Sequence, residues 1–382
     1  MGNLNKVLLV SAVAGLTAAA SMPTTPALGA EYYKGKTISI IVGRGAGGGT
    51  DTVARIFAKY LGKHIPGNPK IVVKNMPGAG GAKSMNFVYE KAKPDGRTVV
   101  YANLSAMKEL LEVKGVRFKY GKFTWLGPVQ GPPIMMFART DVVPGGLKKP
   151  SDIIKAKNLI LPGQRPTGGL DLMSRPTLDM MGLKYRYVPG YRGASGIRPA
   201  IRAGEGNIAA HGLNGWRSGV EPTMAKTGIV KGLWYYPSKD ASGKYVKSPL
   251  VPELPTIIEV YKEAFGKEPS GIYWDALNLA MGFRATASNA FLAPPNTNKA
   301  ATEAFRIGFT GMINDPAMIS QMKKATGSVM TPVAIEVALN VYKNLKNVDP
   351  KLVKFWKEYN AEGSKAKKAP KDKRGGKRKK KN

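Results

Sequence analysis

Gly43, Gly45 and Gly48, within the stretch SIIVGRGAGGGTD at residues 39–51, have the spacing of a dinucleotide-binding fingerprint. That chemistry needs an acidic residue about 20 positions further on to hold the ribose hydroxyls. No Asp or Glu occurs between Asp51 and Glu90, and the second candidate strand ends at Lys74 and Asn75. The stretch also fails as a nucleotide P-loop, because no Lys precedes Thr50. What remains is the physics those motifs share. Glycines let the backbone approach a ligand closely, and the free N–H groups of a helix's first turn favour negative charge. A second glycine loop, NMPGAGGAKS at 75–84, follows the first, and Asn103–Ser105 opens a third loop that lacks glycine. Loops around Gly47–Thr50 and Gly78–Gly81, side by side, would cradle a carboxylate or another small oxyanion. The alternative is that the glycines only make tight turns.

Other chemistries find little support. The chain has no Cys and only two histidines, His64 and His211. A catalytic triad would have to recruit one of these without a nucleophile-elbow context, and a histidine-rich metal site cannot form. His64 lies just beyond an amphipathic helix, where it suits a C-terminal cap. His211 ends an apparent strand, NIAAHG, where a ligand contact or a purely structural role is open. No cofactor is implied.

The glycine loops need elements to hold them. Thr37–Val42, Lys70–Lys74 and Thr98–Ala102 read as short buried strands. The first is followed by a helix capped by Thr50 or Asp51, with Val53, Ile56, Phe57, Tyr60 and Leu61 on one face. The second is followed by a helix through Met85, Val88 and Tyr89. Successive βα units predict a parallel sheet with its loops gathered at the strands' carboxyl ends. NLILPGQRPTGGLDLM at 158–173 and YRYVPGYRGASGIRPAIRAGEGN at 185–207 repeat the pattern and predict a second lobe. In the last third Pro316 sits just inside a helix start. Thr331 and Pro332 open another helix, with Ile335, Ala338, Leu339, Tyr342 and Leu345 as its apolar stripe.

Residues 1–30 read as a cleaved export signal, with Lys6, the uncharged run Val7–Ala20, and small residues at Ala27, Gly29 and Ala30. The remaining 31–382 is more than one hydrophobic core usually serves, which favours two lobes. The lack of cysteine removes disulfides and thiolate chemistry, and the periplasm fits best. Formal net charge is +34, and 11 of the last 18 residues are Lys or Arg. That tail cannot bury a core. It reads as solvated and disordered, or as a nonspecific contact with anionic surfaces. It holds no aromatic to stack on a base, so specific nucleic-acid recognition is not indicated.

Six stretches in register, VGRGAGGGTDTVAR, VVKNMPGAGG, KPDGRT, YVPGYRGASGIRPAIRAGEGN, PELPTIIE and LAPPNTNKAATEAFRIGFTGMINDP, resemble the substrate-binding proteins of tripartite tricarboxylate transporters, the Bug-type solute receptors. The resemblance runs from about Tyr32 to Gly327. It implies an α/β, two-lobed type II periplasmic binding protein of the Venus flytrap class, each lobe a mainly parallel sheet flanked by helices. Lobe 1 would comprise residues 31–138 and 275–362, lobe 2 residues 139–274, and the tail 363–382. It further implies a monomeric receptor, with no catalysis, that takes a small organic anion between its lobes and passes it to membrane permease subunits.

Carried over by position, the family's pocket falls on Gly47, Gly48, Gly49, Thr50 and Asp51. It continues through Pro77, Gly78, Ala79, Gly80 and Gly81, then Asn103, Leu104 and Ser105. The second lobe adds Thr167, Gly168 and Gly169, with Tyr191, Arg192 and Gly193 near the cleft and His211 beside them. Asp51 suits a loop organiser better than a ligand contact, since an acid repels an anion. The chain departs from the family at Arg44 and Ala46, which stand where Phe and Pro are usual. It departs again at Lys74-Asn75-Met76 for Glu-Asn-Arg, at an inserted Gly190, and at Asp171 for a common His. Arg44, if it faces the cleft, could grip a second carboxylate; otherwise it is a solvated surface side chain. Two other classes stay open: an exported hydrolase on the same scaffold, and a polyanion-binding envelope protein acting through its tail.

Overall fold

The computed structural model describes residues 31–191, 193–239 and 244–368. The export-signal segment, Arg192 and tail residues 369–382 lie outside the described residues. The chain runs β1 (Thr37–Val42), α1 (Gly49–His64), β2 (Lys70–Asn75), α2 (Ala82–Glu90), β3 (Thr98–Asn103), α3 (Ala106–Leu110), β4 (Thr124–Gln130) and β5 (Ile134–Arg139). It continues through β6 (Leu159–Pro162), α4 (Asp171–Met180), β7 (Tyr185–Val188), α5 (Ala194–Arg202), β8 (Ile208–Gly212), the helical turn α6 (Leu213–Gly215), a π-helical stretch (Trp216–Ala225) and β9 (Val230–Tyr235). A small hairpin, β10 (Ser238–Lys239) with β11 (Tyr245–Val246), precedes α7 (Ile257–Phe265) and α8 (Ile272–Thr286). β12 (Asn289–Ala293), α9 (Lys299–Ile313), α10 (Pro316–Thr326), β13 (Thr331–Pro332), α11 (Ile335–Lys343) and α12 (Pro350–Lys365) complete it.

The first sheet has the order β13-β4-β12-β3-β1-β2. β1 pairs in parallel with β2 and β3, whereas β12 runs antiparallel between β3 and β4. In the second lobe β5 runs antiparallel between β8 and β9, and β6 pairs in parallel with β7. The Asn207 side chain and backbone join β6 to the start of β8 through Ile160. Each lobe therefore places a βα-type parallel run beside a strand that arrives from the other lobe.

Residue alternation explains why both sheets are covered on both faces. Ile38, Ile40 and Val42 point into a core with Phe57, Leu61, Phe291 and Phe305, while Ile41 points the other way with Val100, Trp125 and Leu292. Along β5, Ile134 and Met136 enter one core, and Met135 and Phe137 enter another with Trp216 and Tyr235.

The lobe boundaries differ from those expected. β5, assigned by sequence to lobe 1, hydrogen-bonds to β8 and β9, because the chain crosses at Gly131–Pro133 rather than after 138. Ala276, Leu277, Ala280 and Met281 of α8 pack in the second lobe's core, as do Trp356 and Tyr359 of α12. Buried Arg175 of α4 fixes α12: its Nη2 donates to Tyr359 O at 3.0 Å, and its guanidinium lies 4.1 Å and 4.9 Å from the ring centroids of Tyr359 and Tyr187. The crossings are laced together. Gly131 N donates to Ser288 Oγ at 2.6 Å, and Ser288 N donates to Val129 O at 3.0 Å.

Two helix starts are also corrected. α1 begins at Gly49 with Gly48 as its cap residue and no side-chain cap bond, so neither Thr50 nor Asp51 is the cap. Thr331–Pro332 forms a short strand against β4, and the following helix starts at Ile335. His64 ends α1 and sits 2.9 Å from Asp315, the cap residue of α10.

One packing contact makes a direct test. A Cβ on Gly308 of α9 would lie 2.2 Å from Ile65 Cγ1 and 2.9 Å from Ile65 Cα, with backbone that cannot yield cheaply. Gly308→Ala should therefore destabilise the protein by about 1–3 kcal/mol despite alanine's better helix propensity. Gly282→Ala in α8, where a Cβ meets nothing within 4 Å, should be neutral or stabilising. Urea melts of the two variants check the pair; equal effects would contradict the packing.

Candidate functional site

The first three βα loops are tied into one unit. Gly43 follows β1, and a Cβ there would stand 2.4 Å from Ser84 Oγ and 2.8 Å from Gly81 Cα, so only glycine lets the first loop lie against the second. Asp51, buried in the first turn of α1, accepts from Gly47 N at 2.9 Å, Arg55 Nε at 2.9 Å and Asn75 Nδ2 at 2.8 Å. Burial alone would raise its carboxyl, but the hydrogen bonds from Arg55, Asn75 and Gly47 outweigh that and hold it below the usual carboxylate value. Its carboxylate is thus committed to holding the loops. Asn75 Nδ2 also donates to Arg44 O at 3.0 Å, joining the end of β2 to the first loop.

Arg44 reaches toward the third loop. Its Nε donates to Asn103 Oδ1 at 3.1 Å, and Thr50 Oγ1 donates to the same oxygen at 3.0 Å. The first-turn N–H groups of α1, Gly49 to Asp51, have no acceptor within the helix. In the second loop Gly78, Ala79, Gly80 and Gly81 follow one another with φ of 145°, 43°, 60° and 89°. Such a run of left-handed residues turns the backbone into a tight concave loop, which glycine tolerates at little cost. Pro77, Gly78 and Ala79 are exposed, while Gly80 and Gly81 are half-buried. In the third loop Leu104 N donates to Ser288 O at 2.9 Å and Ser105 N to Tyr120 Oη at 3.1 Å. Those two amides are occupied by the protein, leaving the Asn103 side chain as that loop's contribution.

The second lobe's loop after β6 is organised by Asp171. Its Oδ1 accepts from Tyr187 Oη at 2.7 Å and Gln164 N at 3.0 Å. Burial pushes the carboxyl up to about 7, against the opposing hydrogen bonds from Tyr187 and Gln164. Backbone bonds from Gly190 N to Gln164 O and Tyr191 N to Gly163 O bind this loop to the one after β7. Thr167 and Gly168 are half-buried, Gly169 is exposed, and Tyr191 and Gly193 are half-buried. His211 is fully buried on β8, edge-on to Phe137 with ring centroids 5.2 Å apart. It is thus part of the lobe's packing and does not reach the cleft surface as the sequence had suggested it could.

Two residues absent from the sequence expectation complete the geometry. Lys108 of α3, 9% exposed, sends its Nζ to Gly80 O at 2.9 Å. Arg165, from the second lobe, lies over Gly80 so closely that a Cβ there would fall 1.3 Å from its Nη2. Gly80 is therefore where the two lobes meet, with cations from both. Burial, then the nearby charges of Arg44 and Arg165, pushes the Lys108 ammonium down to about 7. Burial and the Arg165 charge likewise lower the Arg44 guanidinium. Among the described residues no ion pair to a carboxylate neutralises Arg44, Lys108 or Arg165, and no group of acidic and histidine side chains suits a metal ion. Arg165 lay within a stretch already singled out, and Lys108 lies three residues past the third loop. Their proximity to the loops was the available signal.

Two α/β lobes joined by several crossings, with the loops at the carboxyl ends of the parallel strands gathered between them, give the fold of type II periplasmic binding proteins. Solved structures with the same fold include the periplasmic binding protein BugD, with a TM-score of 0.62 and 20% identity over 88% of this chain and 100% of that one. They also include MatC from Rhodopseudomonas palustris with bound malate, with a TM-score of 0.60 and 18% identity over 85% and 99%. A third is Rpa4515 from R. palustris with adipate, with a TM-score of 0.62 and 15% identity over 87% and 99%. In sequence, the chain is 31% identical over 170 residues to a UPF0065 protein of Agrobacterium vitis, covering 43% of this chain and 47% of that protein. It is 27% identical over 187 residues to a UPF0065 protein of Bordetella pertussis, covering 47% and 55%. The chain thus spans about half the length of the curated relatives it matches. No protein-family model matches it. The protein is similar to the Bug-type, tripartite tricarboxylate transporter solute-binding proteins in fold and in sequence.

Proposed function

We propose that this protein is an exported, non-catalytic receptor that captures a small organic anion between its two lobes and hands it to a membrane permease. The observation that carries this reading is the joining of two glycine loops, the Asn103 loop and the Arg165 loop around Gly80, where positive charge from both lobes converges with no ion pair to a carboxylate among the described residues. Such a site stabilises an anion electrostatically. Neighbours of the same fold hold malate and adipate, which supports a carboxylate as the ligand. No described helix is long and apolar enough to cross a membrane. We place the receptor in the periplasm, released from its signal at about residue 30, and acting as a monomer. Closure would exclude water, strengthen the contacts to the anion and create a surface that a permease distinguishes from the open form.

The test is a thermal-shift screen of purified residues 31–368, which keep α12 whole, against mono-, di- and tricarboxylates, confirmed by calorimetry and recovery of the ligand. A ligand at 100 times its Kd should stabilise the folded form by about 2.7 kcal/mol and be recovered chemically unchanged. Absence of any shift from ligand-stripped protein, or turnover of the ligand, would refute the receptor reading. In the full chain the basic tail should add nothing to small-anion affinity.

A further inference from the structure

The lobes touch on both sides of the first two chain crossings. In front, Arg165 lies over Gly80. Behind, the turn that follows α10 in the first lobe packs on the turn that opens the π-helical stretch of the second. Ser328 Oγ donates to Asn214 Oδ1 at 2.5 Å, and a Cβ on Gly327 would lie 2.9 Å from both Cβ and Cγ of Arg217. Each side of this rear contact is held by its own lobe. Thr326 Oγ1 donates to Ser328 O at 2.8 Å, which fixes the turn after α10. Arg217 donates from Nη1 to Glu221 Oε1 at 2.9 Å and from Nη2 to Glu253 Oε1 at 2.6 Å. The strand order places the two contacts relative to the pivot. Along β13-β4-β12-β3-β1-β2, the first crossing leaves from the end of β4 and the second enters at β12. Thr331 of β13 pairs with Gln130, the last residue of β4, and Leu213 N donates to Pro133 O at 2.9 Å, so both rear turns are tied to the first crossing. Gly80 follows β2, at the opposite edge of the sheet. With strands about 4.8 Å apart, the rear contact stands roughly 5 Å from β4 and the Gly80 contact roughly 15–20 Å away on the other side. A rotation about the crossings that lifts Arg165 off Gly80 therefore presses the rear turns together, and close-packed atoms resist that compression.

We propose that Asn214 and Arg217, packed on Gly327 and Ser328, form a stop behind the hinge that limits how far the cleft opens and so sets ligand affinity from outside it. The effect on affinity rests on the receptor reading; the stop itself does not. These are positioning residues, acting on a ligand only through the angle between the lobes. Apparent affinity falls in proportion to the fraction of molecules in the binding-competent form, so a stop that restrains the open form raises it. Its short lever makes it effective, because a small displacement behind the pivot becomes a several-fold larger one at the cleft.

The chain has no cysteine, so spin labels on Lys91→Cys in the first lobe and Lys184→Cys in the second can report the distance between lobes. Pulsed electron-resonance distances in the ligand-free protein are compared with calorimetric titrations using malate and adipate. Asn214→Ala combined with Arg217→Ala removes the stop. It should lengthen the ligand-free distance and weaken binding by about fivefold or more. Gly327→Asn adds bulk to the stop, and asparagine accepts the left-handed backbone there, where φ is 72°. The added side chain costs the open form more than the closed one. This variant should shorten the ligand-free distance and tighten binding by about the same factor. Opposite shifts distinguish a stop from a loss of stability, which cannot tighten binding. A ligand-free distance that stays the same in both variants, or moves the other way, would overturn the stop while leaving the receptor reading intact. If neither acid binds, that result counts against the receptor reading, and the distances alone decide the stop.

Discussion

Lys108→Met should raise the melting temperature of the ligand-free protein at pH 6 by several degrees. Lys108 is buried, and its ammonium is pushed from 10.5 down to about 7 by burial first and by Arg44 and Arg165 next. The unfolded chain therefore holds one more proton than the folded one between about pH 7 and 10.5. Folded stability rises with pH across that window, and the cost of charging the lysine is fully present below it. Methionine matches the lysine stem in length and carries no charge. Removing the charge should recover on the order of 4 kcal/mol at pH 6, from which about 1 kcal/mol is lost with the hydrogen bond to Gly80 O. By pH 9 the advantage should shrink by roughly 2–3 kcal/mol, because the wild-type lysine is then neutral in the folded state. Melts of both proteins at pH 6 and pH 9 test this. Equal destabilisation of the variant at both values would mean that Lys108 is not held among uncompensated charges.

A second large effect is expected at Asp171, with the opposite pH dependence. Its carboxyl is raised by burial to about 7, above the ordinary 3.8, so the folded state holds the extra proton. The stability this group contributes is complete below about pH 4 and is lost as pH rises to about 7, a change of roughly 4 kcal/mol. Asp171→Asn keeps an acceptor for Tyr187 Oη and Gln164 N and has nothing to titrate. It should flatten that slope and exceed the wild type in stability at pH 8. Asp171→Ala leaves both donors buried without an acceptor and should cost about 2–4 kcal/mol at pH 5, loosening the loop that carries Arg165. Thermal melts from pH 4.5 to 8 separate the two. An asparagine variant with the wild-type slope would show that another group governs it.

The loops and the first lobe's strands were legible because they depend on local chemistry. Thr37–Val42 is a strand with the expected bounds, and Lys70–Lys74 and Thr98–Ala102 are each one residue longer at the end. β-Branched runs ending in glycine define a strand and its turn without reference to the rest of the chain. The start of α1 was missed by two or three residues because Thr50 and Asp51 look like caps by type, while the Asp51 carboxylate is recruited by Arg55 and Asn75 as well as by the loop amide. Thr331–Pro332 was read as a helix start because Thr-Pro suits one, and pairing with β4 decided otherwise.

By itself, then, the sequence determined the βα units, the glycine loops, the resemblance to Bug-type receptors and the poverty of catalytic groups. These follow from short-range periodicity, from backbone freedom at glycine and from composition. Only the tertiary structure decided that β12 enters the first sheet between β3 and β4, that β5 leaves it, and that α8 and α12 pack on the second lobe. It also brought Lys108 and Arg165 together over Gly80. A lysine on a short helix and an arginine in a loop carry no mark of burial in their types or spacing. Their charges become consequential only when segments about 60 residues apart in the chain exclude water from the space between them.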